Sequence, residues 1–162
     1  MRARRKFADG TAVFSVLSRR AVGVARAGTW LADAAIDEIT LDYDSRHRRR
    51  FRLTAASGAE ILLDLAETVH VRDGDALALE GGGLIAVRAA PEALLEVTAA
   101  DADTLARLAW HLGNRHLSVQ FLPGKLRILD DHVIAAMLPA LGGTVRAVTA
   151  PFDPESGAYD HG

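Results

Sequence analysis

The 162-residue sequence predicts an α+β protein, with a small all-β domain first and a domain of alternating strands and helices second. Three observations predict it. From Ile36 to about Ala90, short alternating runs recur at roughly ten-residue spacing between turn residues. Beyond Ala89-Ala90-Pro91 the hydrophobic period changes and helical faces appear between strands. Residues of hydrophobic type make up 49% of the chain, enough for a packed core and too many for a disordered polymer.

In the first half, Ile39, Leu41 and Tyr43 alternate with Thr40 and Asp42 as a half-buried strand. Ser45-Arg46-His47 turns, and Arg50-Phe51-Arg52-Leu53 resumes the alternation. Ser57-Gly58 turns into the strand Glu60–Leu65. Asp73-Gly74 and Gly81-Gly82-Gly83 bound two more strands, Ala76–Leu79 and Leu84–Val87. In the second half Leu94–Val97 is strand-like. Asp103 can cap a helix with Leu105, Leu108, Ala109 and Leu112 on its apolar face and Gly113 as its stop. Leu117–Phe121 and Leu126–Leu129 form a hairpin across Pro123-Gly124. Asp130 or Asp131 caps a second helix bearing Val133, Met137, Ala140 and Leu141, which ends at Gly142-Gly143, and Thr144–Val148 closes the series. The order β-α-β-β-α-β is that of a ferredoxin-like domain. The expected division is residues 1–90 for the β domain, with 1–30 a candidate extension, 91–150 for the ferredoxin-like domain, and 151–162 for a flexible, exposed tail.

Nineteen Lys+Arg against 21 Asp+Glu give a net charge of −2, so global charge does not ask for a polyanionic partner. The distribution is uneven: residues 1–52 carry twelve basic and six acidic side chains, the remainder seven and fifteen. The chain has no cysteine, which removes disulfides, thiolate metal sites and cysteine nucleophiles. No apolar run approaches the ~18 to 20 residues that span a bilayer, and the basic N-terminus lacks the h-region of a signal peptide. A cytoplasmic protein with no membrane partner is expected. Neither a phosphate-binding loop, a GxSxG elbow nor an HExxH helix is present, so the expectation is of a protein that is not an enzyme.

The candidate chemistry lies in histidines. His116 follows the first helix on a short connection, where binding residues tend to sit, and one imidazole nitrogen suits nickel, copper or zinc. A lone imidazole leaves a metal largely solvated, so His116 matters if a second copy supplies its twin across a two-fold axis. His111 occupies the last helical turn, where a cation is favourable in any case. His132 opens the second helix, His161 stands near the end of the tail, and His70 reads as structural. The run Arg46-His47-Arg48-Arg49-Arg50, with Arg52, has three readings: a phosphate patch for nucleic acid, a dock for an acidic protein, or a solvated strand edge. The aromatic signature of an RNA-binding βαββαβ domain is absent.

The segments HLGNRHLSVQF, LRILDDHVIAAMLPALGGTV and PFDPESGAYDHG, in this order, resemble the urease accessory protein UreE family. The upstream LDYDSRHRRRFRLTAASGAEILLDLAETVHVRDGDALALE resembles its N-terminal domain, so the likeness runs from about Thr40 to the C-terminus. The resemblance implies a peptide-binding-type β domain followed by a metal-binding, dimerising ferredoxin-like domain. It implies a homodimer in which His116 of both copies holds Ni(II), with His111 and His132 at positions tied to further metal binding and His161 as the tail ligand. Zn(II) or Cu(II) would compete. The implied activity is nickel delivery to the urease apoprotein and its accessory GTPase; the alternative is a nucleic-acid-binding module built on the Arg46–Arg52 run. Two departures matter. No long histidine-rich tail is present, and Asp130 stands where some members have a histidine.

Overall fold

The computed structural model describes residues 19–156. The N-terminal basic patch and His161 lie outside the described residues. The first half forms one six-stranded sheet from β1 (Arg19–Ala25), β2 (Ala35–Leu41), β3 (Arg50–Thr54), β4 (Glu60–Asp64), β5 (Ala76–Leu79) and β6 (Leu84–Ala89). The strand order is β2-β6-β5-β1-β4-β3, with β1/β4 and β2/β6 parallel and the other pairs antiparallel. Each alternating run places its apolar set on one face, and Ile39, Leu53, Ile61, Leu63, Leu77, Ile85 and Val87 meet there in a single core. Gly81, Gly82 and Gly83 all have φ near +85 to +105°, which only glycine adopts without strain, and so close the β5–β6 hairpin.

The β1 strand falls inside the stretch read as a candidate extension. It is an interior strand with Ala21 fully buried, so residues 19–25 are integral to the sheet. Short Ala- and Gly-containing strands carry a weak periodic signal, which is why the sequence did not mark it.

The second half contains β7 (Pro91–Ala99), α1 (Ala102–Asn114), β8 (Gln120–Leu122), β9 (Lys125–Leu129), α2 (His132–Met137) and β10 (Gly143–Pro151). The antiparallel order β10-β7-β9-β8 is the ferredoxin-like arrangement, with the first and third strands of the unit in the centre. The α+β class read from the sequence is therefore the class observed. Leu95, Val97, Leu126 and Ile128 on one sheet face pack against Leu108 and Leu112 of α1 and Ile134 of α2. Three local expectations need correcting. Asp101, not Asp103, caps α1, its side chain accepting from the Thr104 amide at 2.7 Å. Gly113 does not stop α1, which runs on to Asn114. The second helix has six residues, because Pro139 cannot donate a backbone hydrogen bond and the chain tightens into a 3-10 turn over Leu138–Leu141.

On the opposite sheet face Glu96 is buried, bonded to Arg146 at 2.7 Å, Arg127 at 3.0 Å and Lys125 at 3.1 Å. Only Ala90 separates β6 from β7, and side chains bridge the halves. The Tyr43 amide donates to Glu92 Oε2 at 2.9 Å, and the Tyr43 and Ser118 hydroxyls lie 2.9 Å apart. Among the described residues, no helix is long and apolar enough to cross a membrane.

Candidate metal centre

The end of α1 makes His116 unusual. The His116 amide donates to Gly113 O at 2.9 Å, and the Leu117 amide reaches back to Leu112 O at 3.3 Å. This pair of bonds closes a helix with one left-handed residue, a place that glycine normally takes. Here the residue is His116, with φ +58°, the one non-glycine of positive φ among the described residues. A left-handed histidine costs of the order of 1 kcal/mol. The turn holds the imidazole at the surface, clear of the helix.

His116 borders a cleft of about 540 Å³ between the two halves. Leu117, Ser118 and Phe121 continue the wall from the second half, and Tyr43, His47 and His70 close it from the first. The His47 and His70 rings stack with centroids 5.3 Å apart, and Tyr43 meets His70 edge-on at 5.5 Å. The side chain of His70 is only 7% exposed. Burial lowers its pKa to about 4, with Asp153 opposing and Arg46, Arg72 and His47 adding to the fall. His70 sits in the β4–β5 connection. The sequence marked neither His47 nor His70 as part of this cleft, because His47 looked like one member of a basic run and the packing that brings His70 alongside is non-local.

The remaining sequence-selected histidines are placed as follows. His111 is half-buried in the last turn of α1, its ring edge-on to Trp110 at 5.0 Å. His132 is exposed at the start of α2, whose first amides are capped by Asp131. His161 lies outside the described residues. Among the described residues, no group of three or more His, Asp or Glu side chains converges to hold a metal within one chain. Two large apolar side chains of the second half are exposed: Phe121, in the wall of the same cleft as His116, at 53%, and Trp110 on α1 at 64%.

The basic run divides. Arg46 is fully buried and points into the junction of the halves, so it adds nothing to a surface stripe. Arg48 pairs with Asp44, and Arg50 approaches Asp64 at 4.0 Å, while Arg48, Arg49, Arg50 and Arg52 are exposed.

Comparison with known proteins bears directly on this arrangement. Residues 19–90 match the family model of the N-terminal domain of UreE urease accessory protein, and residues 92–162 that of its C-terminal domain. The chain belongs to the UreE urease accessory protein family. It is 56% identical over 127 residues to the urease accessory protein UreE of Bradyrhizobium sp. strain ORS 278, covering 78% of this chain and 60% of that protein. Against the UreE of Beijerinckia indica it is 51% identical over 140 residues, covering 86% of this chain and 80% of that one. Against the UreE of Rhodobacter capsulatus the identity is 51% over 146 residues and 90% of each chain. The chain thus spans about 60% of the length of some UreE relatives and most of others. UreE proteins are accessory proteins of urease and not enzymes.

Proposed function

We propose that this protein is a nickel metallochaperone that works as a homodimer. In this reading it delivers Ni(II) to the urease apoprotein through a complex with the urease accessory GTPase. One observation carries the proposal: His116 is held outward by a left-handed helix ending, on a cleft whose wall includes the exposed apolar side chain of Phe121. An exposed aromatic ring on such a wall favours burial against another protein surface. If a second copy covers it across a two-fold axis, the two His116 rings face one another and can share one metal.

Two imidazoles alone hold nickel loosely. Glu155 and Ser156 line the same cleft as His116, and His161 follows five residues later, a reach of at most about 18 Å. The tail can therefore bring His161 to the metal, with water filling the other positions. Such an open site gives nickel up by ligand exchange, which a closed four-ligand cage would resist. His111 and His132 are further candidate ligands, on separate elements. Zn(II) and Cu(II) suit the same imidazoles and are expected to compete.

Calorimetric titration with Ni(II) tests the reading. Wild type is expected to take up one tightly held nickel per two chains, and His116→Ala none. Unchanged stoichiometry and affinity in His116→Ala would overturn the proposal.

A further inference from the structure

The second sheet carries a charge imbalance on the face turned away from its helices. Residues 91–151 hold five Lys and Arg side chains, and three of them converge on the carboxylate of Glu96. Glu96 Oε2 accepts from Arg127 Nε at 3.1 Å and Nη2 at 3.0 Å, and from Lys125 Nζ at 3.1 Å. Arg146 Nη2 donates to Oε1 at 2.7 Å. The pKa of Glu96 is lowered to about 2, first by Arg146, so the carboxylate stays ionised and cancels one of the three positive charges. Among the described residues no second carboxylate pairs with any of the three, and the other two charges are left over.

Register sets what surrounds them. Arg146, Glu96, Arg127 and Gln120 form one row across β10, β7, β9 and β8. Two residues along, Val148, Leu94 and Leu129 form an apolar row on the same face. Arg146 is 71% exposed in its side chain and Leu129 is 39% exposed, so both rows reach the surface. The helices α1 and α2 pack on the other face. A lysine or arginine that grips a partner loses rotamer freedom, which weakens the contact. Here Glu96 has already ordered the three heads, whereas no carboxylate holds the exposed Arg49 and Arg52 among the described residues. Because the heads meet at one carboxylate, the leftover charges stand close together, like side chains one turn apart on a helix. We propose that this face docks an acidic amphipathic helix of a partner protein, which sets two carboxylates on Lys125, Arg127 and Arg146 and lays its apolar stripe over Val148 and Leu129. Neither Glu96 nor the three cations line the cleft that His116 borders, so the docking face is separate from the proposed metal site.

The probe is a fluorescein-labelled, alanine-based helical peptide with leucines on one stripe and pairs of Glu one turn apart beside them. It is titrated with the full chain and followed by fluorescence anisotropy. Binding should saturate and should weaken as salt rises. Lys125→Gln/Arg146→Gln leaves Glu96 its two bonds from Arg127, and affinity should fall about tenfold. Arg146→Gln alone, at an exposed side chain, should lose about threefold and serves if the double variant does not fold. Arg49→Gln/Arg52→Gln removes as much charge from the first half and should change affinity by less than about twofold. Equal losses in the two double variants would reduce the effect to net charge and overturn the proposal. Failure of the wild type to bind would also overturn it, as would equal affinity for a twin peptide with Gln at each Glu. A proline-interrupted peptide of the same composition should bind about tenfold more weakly, and equal binding would refute a helical partner. Each of these failures leaves the nickel function proposed above standing.

Discussion

At the scale of single residues, the chain places a histidine where the backbone asks for glycine. The left-handed φ of His116 is maintained by two hydrogen bonds that any residue could make, so the imidazole contributes nothing to the ending of α1. Stability and the proposed metal binding would therefore oppose one another at this position. His116→Gly should raise unfolding stability by about 0.5 to 1 kcal/mol, because relief of backbone strain outweighs the added freedom of the unfolded chain. The same substitution should abolish nickel uptake. Chemical denaturation beside a nickel titration reads both; a His116→Gly protein less stable than wild type would show that the ring packs usefully where it stands. The sequence made His116 visible as a residue of a helix–strand connection. It hid the strain, because Gly113 offered a helix stop three residues too early.

Among the elements, the parts legible in the sequence are those whose apolar residues repeat with a period: nine of the ten strands in the two sheets, and the buried stripe of α1 through Leu108 and Leu112. Less legible were features decided by contact between distant segments. The interior strand β1, the turn of Arg46 away from its basic run and the burial of Phe152 are of this kind. The candidate site divides in the same way. His116 could be chosen from sequence, whereas the His47–His70 stack opposite it comes from two connections brought together only by the sheet.

Two separate groups also set the response to acid. His70 in the β4–β5 connection has its pKa lowered from 6.5 to about 4, chiefly by burial, so the unfolded chain binds a proton that the folded chain refuses. Stability should fall as pH drops from 6.5 toward 4, by at most about 3 kcal/mol. Glu96 on β7 is held down from 4.5 to about 2, first by its bond to Arg146 and then by those to Lys125 and Arg127. Its contribution is present above pH 4.5 and is lost as pH falls toward 2. Urea unfolding across pH should thus show decline in both windows. His70→Gln should flatten the upper window alone; an unchanged slope there would mean that His70 is not the group refusing the proton.

For the whole molecule, the proposed metal site and the proposed dimer stand on the same face, and this couples them thermodynamically. A metal held by one His116 from each copy binds the dimer and not the monomer, so nickel must tighten association. With free nickel a hundredfold above its dissociation constant, the gain is about 2.7 kcal/mol, or roughly a hundredfold in the monomer–dimer constant. Light scattering during size exclusion should find a mass near twice 17.3 kDa, persisting to lower protein concentration when nickel is present. Phe121→Glu places a charge on the wall of the cleft that His116 borders without touching the proposed ligand, and it should shift the protein toward monomer. Nickel uptake by Phe121→Glu should weaken in step with the dimer and recover at high protein concentration, where association is restored by mass action. A monomeric Phe121→Glu with wild-type nickel affinity would place the grip within one chain and overturn the proposed shared-imidazole site.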